Sequence, residues 1–178
     1  YEAKGGAGYR ISDQASVFLG VGTYQTYGEG GNFVTPKVND ELRIWPQLSL
    51  SNKIGRLRIE HRYRFENRFT SQGFLLRFRQ RLQAQLPLNN PDMRPGTLAA
   101  VVWNELFLTD REPFFQRNRF FVGAYYEFTP RYAMQLGWVN QYDYSVEDET
   151  GKNFFQISAL FSLRRRKTDQ APRPTLDE

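Results

Sequence analysis

Two consecutive stretches decide the fold: Arg56-Leu57-Arg58-Ile59-Glu60-His61-Arg62-Tyr63-Arg64-Phe65, and Phe74-Leu75-Leu76-Arg77-Phe78-Arg79-Gln80-Arg81-Leu82 with its continuation to Leu86. In the first, charge occupies every even position and mainly apolar or aromatic groups the odd ones. In the second, Arg77, Arg79 and Arg81 share one parity and Phe74, Leu76, Phe78 and Leu82 the other. Side chains of a strand alternate faces with period two, so each stretch has one apolar and one charged face. A soluble sandwich turns the apolar face inward. A membrane barrel inverts that arrangement, with apolar groups toward lipid and charges toward the interior.

Composition favours strands. The chain has 178 residues, one domain's worth, with 15 Phe, 10 Tyr, 3 Trp and 14 Gly. Its mean hydropathy of −0.63 is that of a polar protein, but in a barrel half of each strand and all loops are polar, so this average does not separate the two arrangements. No stretch approaches the roughly 20 apolar residues of a membrane helix. Cys is absent, which removes disulfides and thiolate metal sites. The first residues, Tyr1 to Gly6, have no apolar core of a signal peptide. The barrel arrangement therefore predicts a mature chain or a fragment.

The alternation continues along the chain. Strands are expected over residues 6–11, 16–27, 41–50, 56–65, 74–86, 97–108, 119–128, 133–144 and 153–163, mostly about 10 to 12 residues long, the length a tilted strand needs to cross a bilayer. Pro46 falls on the apolar parity of the third strand and predicts a bulge or weakened ladder there. The strand at 97–108 alternates less cleanly. Connections near residues 13, 52 and 130 read as short, and those near 34, 70, 113 and 148 as longer. Residues 87–96, with three prolines, are long in a short-turn slot. Bacterial barrels show such asymmetry and have even strand numbers. The expectation is thus an all-β, antiparallel, up-and-down transmembrane β-barrel over residues 1–163. Nine strands are visible and ten are expected in the complete protein, the first lying upstream with a signal peptide. Residues 164–178, a basic cluster and then a polar tail, are expected to be disordered.

Several segments in this order look familiar: Arg-Leu-Arg-Ile-Glu-His-Arg-Tyr at 56–63, Arg-Phe-Arg-Gln-Arg-Leu at 77–82, Trp-Asn-Glu-Leu-Phe-Leu at 103–108, Asn-Arg-Phe-Phe-Val-Gly at 118–123 and Gly-Trp-Val-Asn-Gln-Tyr at 137–142. From about residue 6 to 163 the chain resembles domain of unknown function 2490, a family of predicted outer-membrane β-barrels common in Bacteroidetes. The resemblance implies architecture and a bacterial outer-membrane location. It carries over no activity and no catalytic residue.

The charged parity is the candidate site. Arg56, Arg58, Glu60, Arg62, Arg64, Arg77, Arg79, Arg81, Glu105, Arg119 and Glu127 would line the interior. Buried charges need partners, so the simplest expectation is an Arg–carboxylate network that plugs a narrow barrel, in a protein that is structural or an accessory subunit of an envelope complex. Arg outnumbers Glu, which allows a narrow anion-preferring channel as an alternative. A soluble, lipocalin-like ligand-binding barrel is a second alternative and would need the apolar parity inside. Outward Phe65, Phe74, Tyr126, Phe128, Trp138 and Tyr142 are expected to form aromatic girdles at the membrane interfaces. The single histidine, His61, falls on the outward parity with no nucleophile beside it, so no enzyme is read here. No cofactor or metal is expected. Too few His or Cys exist for zinc, and Glu147, Asp148 and Glu149 lack the spacing of a calcium loop. Arg164 to Lys167 reads as a contact for anionic headgroups rather than nucleic acid, so the expected partners are the lipid bilayer and other envelope proteins.

Overall fold

The computed structural model describes residues 1–28, 37–144 and 150–162. Every element is a strand: β1 (Glu2–Arg10), β2 (Ala15–Tyr27), β3 (Lys37–Ile54), β4 (Leu57–Thr70), β5 (Gly73–Pro87), β6 (Thr97–Thr109), β7 (Phe115–Thr129), β8 (Tyr132–Asp143) and β9 (Thr150–Phe161). Each pairs antiparallel with its neighbour in sequence, giving one nine-stranded up-and-down sheet curled into a half-barrel. Among the described residues no helix is long and apolar enough to cross a membrane. The acidic loop at Glu147 to Glu149 and the tail at 164–178 lie outside the described residues.

The strands are longer than the alternation suggested. β1 begins at Glu2 rather than Gly6, because Glu2 to Gly5 pair with Val21 to Tyr24. β4 and β5 continue past the expected connection at 66–73 and meet in a two-residue turn, Ser71-Gln72. The connection near 70 is therefore short, and short and long connections do not strictly alternate. The parity runs on through Glu66, Arg68 and Thr70, but these and Asn67 are polar enough to resemble a loop. β7 likewise starts at Phe115, four residues early. At Pro46 the pairing of β3 with β4 skips Trp45 and Pro46 and resumes in the same register. The missing N–H weakens the ladder without shifting it.

One row of directly paired residues crosses the sheet: Arg10, Ser16, Ser49, Arg62, Arg81, Glu105, Arg119, Gln141 and Lys152. It starts at the last residue of β1 and ends at the third residue of β9. At about 3.3 Å per residue and about 4.8 Å between strands, a stagger of roughly six to nine residues over roughly eight steps corresponds to a strand tilt of about 27–38°.

The concave face is filled by both kinds of side chain. On β6 the inward residues are Thr97, Ala99, Val101, Trp103, Glu105 and Phe107, all buried. With both faces apolar over much of β6, alternation there is hard to see in the sequence. Ala99, Val101, Trp103, Phe121, Tyr125, Ala133, Val139 and Leu160 form one apolar cluster, in which the Trp103 and Phe121 rings stack at 5.2 Å. Phe121 lies across the glycine pair Gly123 and Gly137, and the Trp45 indole lies across Gly20. A Cβ at any of these glycines would collide with the ring.

Gly123→Ala should therefore destabilise the protein by about 1–3 kcal/mol, since its Cβ would meet Phe121 and the Leu136 carbonyl. Gly151→Ala, which meets nothing within 4 Å, should stay within about 0.5 kcal/mol of the parent. Chemical denaturation midpoints of the two variants check this.

Candidate functional site

The site is a belt of charge on the concave face, positioned by the register of β4, β5 and β6. Arg62 pairs directly with Arg81, and Arg64 with Arg79. Two like charges opposite each other on one face repel. The belt resolves this by placing a carboxylate between each set of guanidiniums. Glu105, fully buried, accepts from Arg62 Nη2 at 2.8 Å, from Arg79 Nη2 at 2.9 Å and from Arg81 Nη2 at 2.8 Å. Glu66, 1% exposed, accepts from Arg77 Nε at 2.7 Å and Arg79 Nη1 at 2.8 Å, with Arg64 Nη1 at 3.6 Å. Arg79 thus bridges the two carboxylates. Arg64 donates twice to Gln47 Oε1, at 3.0 and 2.6 Å. Arg119 donates to Gln141 Oε1 at 2.7 Å, and Gln141 Nε2 passes the chain to Asp143, which also pairs with Arg117.

Aromatic faces complete the lining. The Phe107 ring has the Arg79 guanidinium 4.5 Å from its centroid, Arg77 at 5.4 Å and Arg119 at 5.5 Å. Arg81 lies 4.2 Å from Trp103, and Arg64 5.3 Å from Trp45. A ring quadrupole attracts a guanidinium and presents no competing donor, so it walls off the belt while stabilising it.

Of the residues expected inside, Arg62, Arg64, Arg77, Arg79, Arg81, Glu105 and Arg119 come together in this belt. Arg58 and Glu60 lie half-buried on the same face toward the turns. Glu60 joins Ser16, Gln47, Ser49 and Ser51 around a cavity of about 300 Å³. Glu127 is buried apart from the belt, next to the apolar cluster, where its residue pairs with Thr97 and Ala133. Arg56 is a correction: it is exposed, in the turn after Gly55 (φ 59°), and points to the residue 88–96 connection rather than to the belt. The even parity reaches Arg56, but the strand begins only at Leu57.

Sequence reasoning missed Glu66 and the second hub, Glu41, which is 2% exposed and binds Arg43 and Arg68. Both sit on the charged parity, in stretches read as a loop or as a strand end. It also missed Phe107 and Trp103, whose parity is that of Glu105. Among the outward aromatics, Tyr126 and Phe128 lie near the end of the sheet that carries the Gly55-Arg56 and Pro130-Arg131 turns (the turn end), where a ring ladder runs on through Tyr132 to Phe161 with centroids 4.6, 5.1 and 4.9 Å apart. Phe74 and Tyr142 lie near the other end. Phe65 and Trp138 are corrections, since they sit at mid-strand: β4 runs five residues past Phe65, and Trp138 is central in β8. His61 stacks on Tyr63 at 6.5 Å on the outward face.

Among the described residues no three His, Cys, Asp or Glu side chains converge on a metal-sized space. The arrangement is a static ion network on the concave wall of an antiparallel half-barrel. A family model described as a protein of unknown function, DUF2490, matches residues 1–152. The chain belongs to that family. No curated protein and no solved structure matches it.

Glu105→Gln would leave Arg62, Arg79 and Arg81 without their shared carboxylate. It should cost about 3–5 kcal/mol of stability, as the breaking of a buried ion pair does. Lys53→Ala, at an exposed ion pair with Asp92, should cost less than about 1 kcal/mol. Unfolding measured on both variants under one condition makes the comparison.

Proposed function

We propose that this protein is an integral β-barrel of the bacterial outer membrane whose lumen is plugged by the Arg–carboxylate belt, serving as a structural or accessory subunit of an envelope complex rather than as an enzyme. The observation that carries this reading is the inverted polarity of the sheet. Arg62, Arg79 and Glu105 are 3%, 4% and 0% exposed, while Phe65, Ile157 and Phe161 on the opposite face are 56%, 69% and 74% exposed. Water would favour the reverse, and hydrocarbon favours this arrangement. Two further features support it. Aromatic side chains gather outward at the turn end, as at a membrane interface. The outward face also carries an almost wholly apolar depression of about 650 Å³ between Leu19, Pro46, Leu48, Tyr63, Phe65 and Phe78, a surface suited to acyl chains.

β1 and β9 run in the same direction, as the first and last strands of a nine-stranded meander must. One more strand between them would close the barrel antiparallel at ten. A lumen of that size is only slightly wider than the eight-stranded barrels that side chains fill, and the belt fills it here. The excess of Arg over carboxylates on the concave face favours, as a second reading, a narrow anion-preferring passage.

The three tryptophans test the orientation. Trp45 and Trp103 are buried on the concave face, and Trp138 faces outward at mid-strand. Reconstituted in lipids brominated along the acyl chain, the protein should lose the fluorescence of Trp138 alone, so that Trp138→Phe abolishes the quenching. Quenching that survives in that variant, or none in the parent, would refute the membrane orientation. In planar bilayers the plugged barrel should give no discrete conductance steps; anion-selective steps would favour the passage.

A further inference from the structure

Residues 88–96 join β5 to β6 at the end of the sheet where the neighbouring connections are Gly55-Arg56 and Pro130-Arg131, two residues each. Nine residues are far more than an antiparallel pair needs, and these nine are tied down throughout. Asn89 Oδ1 accepts from the Leu98 N–H at 2.9 Å, and its Nδ2 donates to the Gly96 carbonyl at 2.8 Å. Asn90 Oδ1 accepts from Arg94 Nη2 at 2.6 Å, and its Nδ2 donates to Thr97 Oγ1 at 3.0 Å. The buried Thr97 hydroxyl donates in turn to the Asp92 carbonyl at 3.1 Å. Gly96, at φ 84°, donates to the Glu127 carbonyl at 2.7 Å and returns the chain to the sheet.

The contacts at its flanks give the segment its direction. Asp92 reaches back past β4 to pair with Lys53 on β3. Arg56 Nη2 donates to the carbonyls of Pro87, Leu88 and Asn90, at 2.6, 3.1 and 2.8 Å. The next residue, Met93, packs on the concave-face cluster that holds Trp103, Phe121, Ala133 and Leu160, from β6 to β9. A segment tied to β3 on one side and packed against the concave-face cluster on the other reaches over this end of the sheet. Beneath it lies a cavity of about 180 Å³ lined by Lys53, Arg56, Arg58, Asp92 and Met93.

We infer that residues 88–96 form a strap that closes the turn-end mouth of the barrel, with Met93 as its stopper and Arg56 and the Lys53–Asp92 pair as its latch. This deepens the plugged-barrel reading and rests on it: the belt fills the middle of the lumen, and the strap seals one end. The hydrogen bond and charge of Lys53, with Arg58 and Arg94 nearby, hold the Asp92 carboxyl below the usual carboxylate range. A lowered folded-state pKa means that the pair contributes above the ordinary carboxylate titration and is lost only as pH falls through the lowered value.

The native chain has no cysteine, so one introduced thiol reports on one place. The test labels the folded full-length chain in mild detergent with a charged maleimide, comparing M93C with Q72C, a position in the exposed turn at the other end. Because Met93 is only partly buried, the strap predicts that M93C reacts about three- to tenfold more slowly than Q72C in its exposed turn. Adding R56A should bring the M93C rate close to that of Q72C while the β-sheet circular dichroism is retained; if R56A loses that signal, K53A is the milder release and should raise the M93C rate by less than about fivefold. Equal rates for M93C and Q72C in the otherwise native chain, or a slow M93C rate that neither release changes, overturns the strap. A chain that stays folded and soluble without detergent would overturn the membrane reading instead, and the labelling contrast would still report the strap.

Discussion

Everything on the concave face depends on neutralising guanidinium groups in a place water does not reach. Arg62, Arg64, Arg77, Arg79 and Arg81 are each less than 9% exposed, and isolated charges at such depth are prohibitively unfavourable. Two carboxylates, Glu66 and Glu105, answer them, and each can do so only in this register. Sliding β4 against β5 by one residue would turn one Arg row outward. The cross-strand pairs Arg62/Arg81 and Arg64/Arg79 would then face apolar neighbours instead of each other, and both glutamates would lose their donors. The ion network is thus a specificity device as much as a source of stability. A buried pair often stabilises little more than well-packed apolar groups would, but one left half-made is costly.

The apolar residues of the same face answer a different constraint. Rings laid flat over glycines let the sheet curl tightly without voids: Phe121 over Gly123 and Gly137, Trp45 over Gly20. The rings of Phe107 and Trp103 then present π-faces to the Arg row. Where the apolar cluster approaches the turn end, Met93 covers it. Belt, rings and Met93 together line the concave wall from mid-sheet to its turn end.

Much of this was legible in the residues. The alternation in β4, β5 and β7 to β9 marks which side chains share a face, and β1 to β9 follow one another in the order the turns suggested. Legibility failed where composition and conformation part. Glu66, Arg68 and Asn67 continue a strand but resemble a loop, so one of the two carboxylates of the belt was read as part of a connection. Inward Val101, Trp103 and Phe107 sit opposite outward Val102, Leu106 and Leu108 on β6, so apolar groups on both faces blurred the period. Arg56 shares the parity of Arg58 but belongs to a turn, because Gly55 adopts a positive φ.

What the sequence determined by itself was the strand periodicity and therefore which residues could meet, since facing alternates with every residue whatever the fold. Only the tertiary structure decided which of them did meet. Cross-strand register, set by turns tens of residues apart, brought Glu105 of β6 to Arg62 of β4 and Arg79 and Arg81 of β5. The curl of the sheet made that face the buried one. The strap had no periodic signal at all: its path across the mouth follows from side-chain hydrogen bonds and one methionine, interactions that exist only once the strands stand in place.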